Sequence, residues 1–330
     1  MDLTLAPMEG LTGAVFRRRH FLAFGGPDWY YTPFVTPTRE PRFTERQLKE
    51  FSPLVNEGIP VIPQLLTSRA EDFLWAAEAL ADMGYPEVNL NLGCPMGTVT
   101  AKGKGSGMLR HPLELEAFLE AVFEKPLPIP VSLKTRLGWC SVEEFEDLLR
   151  IFNRFPIREL IVHPRLRSDF YRGDARREAF ARFLPEIKAP AGYNGDLCDR
   201  AGIRAAEEAF PHLRSLMIGR AAVANPAIFR QAKGGPACSR EELFNFHDAL
   251  LDDYATAFGS LNNTVGHMKQ YWFYMKNLFE GGEKLFKALL KTKRHPDYMA
   301  VVSELRMSIP MREEAIPGWW KPASNTANEP

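Results

Sequence analysis

Apolar residues along this chain gather in short, nearly continuous runs, each followed by a polar or glycine-bearing loop and then by a stretch with helical spacing. The runs fall at 3–6, 29–34, 61–65, 87–91, 129–134, 159–163, 189–193 and 215–218. Between them, Ala70–Asp82 sets Phe73, Ala76, Ala77 and Leu80 on one helix face, and 113–123, 142–152 and 199–209 have a similar pattern. Eight strand-then-helix units are the sequence image of a closed parallel sheet, so the spacing predicts an α/β fold, a (β/α)8 TIM barrel. The rival, a doubly wound open sheet, would carry Gly-x-Gly-x-x-Gly after its first strand. Here that strand leads into Ala6-Pro7-Met8-Glu9-Gly10 instead.

After Gln231 the strand signals fade. The breaker cluster Ala232-Lys233-Gly234-Gly235-Pro236 predicts a linker over 232–238. Helices are expected at 241–258, 265–279, 283–293 and 297–307, with Ser239 capping the first. The predicted organisation is a barrel over 1–231, a C-terminal all-helical domain over 239–316 and a flexible tail over 317–330.

Composition changes this picture little. The 330 residues are 45% apolar and 25% charged, ordinary for a globular protein with one large and one small domain. A formal net charge of zero leaves nucleic-acid binding to a local basic face. No apolar run approaches the ~20 residues a membrane span needs, and the N-terminus lacks the basic start and apolar core of a signal peptide. Cys94, Cys140, Cys198 and Cys238 are scattered without a Cys-x-x-Cys, so neither a disulfide framework nor a metal site is expected, and the compartment reads as cytoplasmic.

In a barrel of this kind functional groups gather at the carboxyl ends of the strands. Read in order, those ends are Pro7-Met8-Glu9, Gln64, Asn91 to Cys94, Lys134, His163, Asn194-Gly195-Asp196 and Gly219-Arg220. Cys94 lies just past its strand in a loop with Gly93 and Pro95, where a thiol acts as nucleophile, with His163 as base, or as proton donor; an inert buried thiol is the plain alternative. Lys134 is either a snorkelling surface lysine or a fixed positive charge facing an anionic cofactor. Asn194-Gly195 is a common hairpin pair, but a parallel barrel has no hairpin there. Glycines at 195 and 219, with Arg220, suit the phosphate site that follows strands seven and eight. The segment Lys102-Gly103-Lys104-Gly105-Ser106-Gly107 reads equally as a mobile basic lid or a solvated loop. Further on, Lys284, Lys287, Lys291 and Arg294 are spaced for one helix face. Lys269, Phe273 and Lys276 repeat the pattern beside Tyr271, Trp272 and Tyr274, tilting the domain towards a phosphate backbone.

These motifs resemble the tRNA-dihydrouridine synthase family. The matching segments are Leu5-Ala6-Pro7-Met8-Glu9-Gly10, Asn89-Leu90-Asn91-Leu92-Gly93-Cys94-Pro95, Val131 to Trp139, Val162-His163-Pro164-Arg165, Asn194-Gly195-Asp196 and Met217 to Ala221. Pro164 departs from the glycine found in many members. The resemblance implies FMN at the barrel mouth, NADPH as reductant with NADH as a variant, and tRNA as substrate, with no membrane and no obligate protein partner. It would set Pro7, Met8, Glu9, Gln64, Asn91, Lys134, His163, Asn194, Gly195, Asp196, Gly219 and Arg220 around FMN. Cys94 would be the general acid, protonating C5 of a uracil ring as hydride reaches C6. Arg165, Tyr171, Lys269, Lys276, Lys284, Lys287 and Lys291 would contact tRNA. The alternatives are an FMN barrel acting on a free pyrimidine, as dihydroorotate dehydrogenases do, and a non-catalytic RNA-binding barrel.

Overall fold

The computed structural model describes residues 1–316, so the expected tail over 317–330 lies outside the described residues. Every predicted apolar run forms a strand, and all pairings between the strands are parallel: β1 (Asp2–Leu5), β2 (Trp29–Tyr31), β3 (Val61–Ile62), β4 (Gln64–Leu65), β5 (Val88–Leu92), β6 (Val131–Gly138), β7 (Leu160–Leu166), β8 (Ala191–Asn194) and β9 (Ser215–Ile218). Nine strands fill eight barrel positions because Pro63, which has no backbone N–H, divides the run at 61–65. The order β3-β2-β1-β9-β8-β7-β6-β5-β4 begins and ends on the halves of that divided run, so the sheet closes on itself. Across the break Asn89 N donates to the Pro63 carbonyl at 2.9 Å.

The chain divides into two compact units. One comprises Met1–Arg18, Pro27–Gly195 and Ala205–Gly219 and holds the whole sheet. Its interior is apolar at one level, where Ala6, Tyr31, Ile62, Ile161 and Met217 cluster. On the β4–β6 side it is polar: Gln64, Asn89 and Ser132 are register partners, and their side chains are linked by hydrogen bonds of 2.7 and 2.8 Å. Alternation then carries Asn91 and Lys134 to the next level up, since residues two apart along a strand share a face.

The other unit comprises Arg19–Gly26, Asp196–Arg204 and the chain from Arg220 onward. Helix Arg240–Phe258 starts at Ser239, whose hydroxyl accepts from Glu242 N while Glu242 accepts from Ser239 N, the predicted cap in full. Helices Leu261–Met275, Glu283–Lys291 and His295–Ser308 follow. They pack around Trp272 and Tyr298, whose hydroxyl takes the Trp272 indole N–H at 2.8 Å and bonds His247 Nε2.

Candidate active site

Strands β6 and β7 are longer than the apolar pattern suggests. They run on past Lys134 and His163 to Gly138 and Leu166, so neither residue ends its strand. β5 pairs with β6 only as far as Thr135, and β8 pairs with β7 only as far as Val162. The excess residues pair with each other, Arg136 with His163 and Gly138 with Leu166, as a two-stranded lip above the barrel. Along the inward face, Ser132 gives way to Lys134 and Arg136, and Ile161 to His163 and Arg165. The mouth therefore becomes steadily more basic with height.

Each of these bases has a distinct setting. Lys134 makes no hydrogen bond or ion pair among the described residues; burial, with Arg136 adding repulsion, brings its amine down to about 7. Arg136 Nε donates to the Gly93 carbonyl at 2.7 Å and its Nη1 to the Leu166 carbonyl at 2.8 Å. His163 Nε2 takes a 2.8 Å bond from Arg165, and because a guanidinium only donates, Nε2 is the accepting nitrogen of the ring. Arg165, expected to touch substrate, is fully buried and also reaches the Gly173 carbonyl, so it supports His163 and the following loop. Tyr171, by contrast, is half exposed, its ring 5.3 Å from the Arg136 guanidinium.

The backbone N–H and carbonyl groups of Gly93 and Cys94 are all hydrogen-bonded. Asn91 Oδ1 accepts from Gly93 N at 3.0 Å and Cys94 N at 2.9 Å, while Asn91 Nδ2 donates to Gln64 at 2.8 Å. Gln64 is fully buried and bonded at both ends of its amide, which makes it the prop beneath Asn91. The Cys94 carbonyl accepts from Ser106 Oγ at 2.8 Å and Ser106 N at 3.1 Å. The segment 102–107 is divided: Gly105, Ser106 and Gly107 are buried in the turn Gly105–Arg110, while Lys102 and Gly103 are exposed ahead of it. A Cβ on Gly105, whose φ is +57°, would lie 2.9 Å from the Cys94 carbonyl oxygen. The thiol is half-buried; burial pushes it above its ordinary value, outweighing the Met96 N–H, Arg136 and Lys134, while Glu9 pushes the same way as burial. Ser106 and Arg136 were not singled out by sequence reasoning, and a serine flanked by two glycines was the one available signal.

At the ends of β8 and β9, backbone and side chains approach closely. A Cβ on Gly195 would lie 2.8 Å from Ala175 Cβ, and one on Gly219 would lie 3.3 Å from Ala6 Cβ and 3.5 Å from Met8 Sδ. Asn194 Nδ2 donates to the Met217 carbonyl at 2.7 Å. Asp196 and Arg220, each next in the chain to one of these glycines, are ion-paired at 2.8 Å. Met8 N is taken by Thr12 Oγ1, fixing the turn that carries Pro7, Met8 and Glu9.

The family model for dihydrouridine synthases matches residues 4–302. The chain belongs to the dihydrouridine synthase family. A probable tRNA-dihydrouridine synthase of Staphylococcus aureus is 32% identical over 91% of this chain and 92% of that protein. Probable tRNA-dihydrouridine synthase 2 of Bacillus subtilis is 28% identical over the same shares. Among solved structures, morphinone reductase aligns at TM-score 0.50 and 14% identity, over 71% of this chain and 86% of that one. A 2-naphthoyl-CoA reductase complex aligns at TM-score 0.53 and 11% identity, over 71% and 50%. At such identities these two show the shared barrel.

Dihydrouridine synthases are FMN-dependent oxidoreductases, and the mouth fits that cofactor. An amine buried without a carboxylate partner calls for an anionic neighbour, which the reduced flavin ring supplies. Glycines after β8 and β9 suit a phosphate tail.

In the helical unit the expected basic faces are partly revised. Lys284, Lys287 and Lys291 are exposed on helix Glu283–Lys291 and make no ion pair among the described residues. Arg294 is not on that face, because the helix stops at Lys291 and Arg294 pairs with Asp297 at 2.9 Å. Lys269 spends its amine on the Thr292 carbonyl, and Lys276 begins a tighter turn with its amine 5.1 Å from the Phe273 ring. Tyr271 and Trp272 are core residues; Phe273, half exposed, is the aromatic on the surface. No helix among the described residues is long and apolar enough to cross a membrane.

Proposed function

We propose that this dihydrouridine synthase acts in the cytoplasm on uridines of tRNA, saturating C5=C6 with Cys94 as the general acid. The carrying observation is the Cys94 thiol, kept protonated by burial in a loop fixed by Asn91, Ser106 and Arg136. A thiol raised above its usual range is poorly suited to attack as thiolate and stays protonated, so a proton is in place for a developing carbanion, a base strong enough to take it. FMN, reduced by NADPH, supplies the hydride for C6. Lys134 would lie against the flavin ring and oppose its negative charge, with His163 oriented beside it by Arg165. Gly195 and Gly219 would admit the phosphate, with Arg220, held by Asp196, next in the chain. Asn91 would meet both flavin and uracil. The net change is one hydride at C6 and one proton at C5, with Cys94 reprotonated from solvent.

A uridine must leave its stack to reach a barrel mouth, which is base flipping paid for by binding the rest of the RNA. The exposed Lys284, Lys287 and Lys291 supply a phosphate-binding face for it. Incubation with NADPH and either an unmodified tRNA transcript or free uridine tests the reading. Dihydrouridine is expected in the transcript alone; equal turnover of the free nucleoside would favour the free-pyrimidine alternative.

A further inference from the structure

The lip formed by β6 and β7 ends in a ladder of rings and guanidinium groups that the reaction itself does not use. Arg167 lies over Trp139, its Cζ 4.5 Å from the ring centroid, and over Phe170 at 4.8 Å. Arg110 approaches the same indole at 5.5 Å. Neither arginine has a carboxylate partner among the described residues. Arg167 Nε is buried without a partner, and Nη2 has a single long contact, 3.4 Å to Thr100 Oγ1.

The ladder is built, not draped. The Glu144 carboxylate accepts backbone N–H groups from Trp139, Cys140 and Ser141, and Ser168 N donates to the Trp139 carbonyl at 3.0 Å. Asp169 accepts from Leu166 N at 2.7 Å and pairs with Arg176. Phe170 is held at φ +53°, a left-handed conformation that a bulky side chain adopts only when its surroundings impose it. The ladder is also tied to the reactive loop, because Arg136 bonds both the Gly93 carbonyl beside Cys94 and the Leu166 carbonyl beside Arg167.

A guanidinium held between two aromatic rings loses little freedom when its terminal N–H groups take a phosphodiester oxygen. A partly exposed indole offers a face to a nucleobase. We infer that the Trp139–Arg167–Phe170 ladder, with Arg110, is a docking surface for the nucleotides flanking the reacting uridine, the arginines taking their phosphates. The inference rests on the tRNA reading above. Binding there would repay the cost of unstacking the target base where that cost arises.

The test compares Arg167→Gln, Arg110→Gln, the double variant and Trp139→Leu with the wild type, on one tRNA transcript with NADPH. Each glutamine variant is expected to raise KM for tRNA roughly tenfold and to lower the salt dependence of tRNA binding by about one phosphate contact. Flavin content, the rate of flavin reduction and KM for NADPH stay at wild-type values. Arg167→Lys, which keeps charge and loses the flat fork, is expected to retain the salt slope and lose part of the affinity, and it serves if Trp139→Leu does not fold. Unchanged tRNA affinity and salt slope, or a raised KM for NADPH in place of tRNA, overturns the inference. Wild-type turnover of the same transcript, run alongside, reports separately on the tRNA reading.

Discussion

Cys94 stood out in the sequence as one thiol in a glycine- and proline-bearing loop, with nucleophile, proton donor and inert core residue all open. Its surroundings narrow that choice through the pull of burial against three nearby positive influences, a balance no spacing rule reveals. Asn91 and Gln64 were legible as strand-end amides, yet each spends its side chain on holding another residue. Ser106 was invisible because its partner is a backbone carbonyl twelve residues away. Replacing Ser106 with Ala removes one of two hydrogen bonds to that carbonyl, a loss of about 1 kcal/mol and about fivefold in turnover. Single-turnover kinetics on tRNA should show that slowing, with flavin reduction by NADPH unchanged. A rate equal to wild type would mean that the Ser106 N–H alone holds the loop.

At the scale of elements, strand positions were well marked by apolar runs and strand lengths were not. β6 and β7 continue through Thr135-Arg136-Leu137-Gly138 and Pro164-Arg165-Leu166, where charged residues mask the pattern because their partners are carbonyl groups inside the mouth. The helical faces illustrate the opposite error. Spacing put Arg294 beside Lys284, Lys287 and Lys291, but the helix ends where Thr292 turns extended. The three lysines that remain are exposed, so changing all of them to Glu should weaken tRNA binding by an order of magnitude or more at low salt. A filter-binding titration measures it, and NADPH-driven flavin reduction is the internal control. Unchanged affinity would make the face merely solvated.

For the whole molecule, eight repeated units made the barrel readable, since closure follows from the count and from right-handed crossovers. The foot of the barrel was not readable. There Glu159 accepts from Ser215 Oγ at 2.5 Å and lies 3.7 Å from Arg214, while burial, with Glu87 nearby, pushes its carboxyl up to about 7. A folded value above the unfolded one means that this group stabilises the fold fully in acid and loses that contribution as pH rises through about 7. Urea midpoints should therefore fall between pH 5 and pH 8 by up to about 3 kcal/mol in unfolding free energy. Glu159→Gln should flatten that slope; an equally steep slope in the variant would place the titration elsewhere.

The central claim is that Cys94 delivers the proton to C5, and the Cys94→Ala enzyme tests it most directly. With flavin pre-reduced by NADPH and tRNA at saturation, the variant should hold flavin and bind tRNA as the wild type does, yet form dihydrouridine at least a hundredfold more slowly, the lower end of general acid effects of ~10²–10⁴. Dihydrouridine formed at the wild-type rate would contradict it.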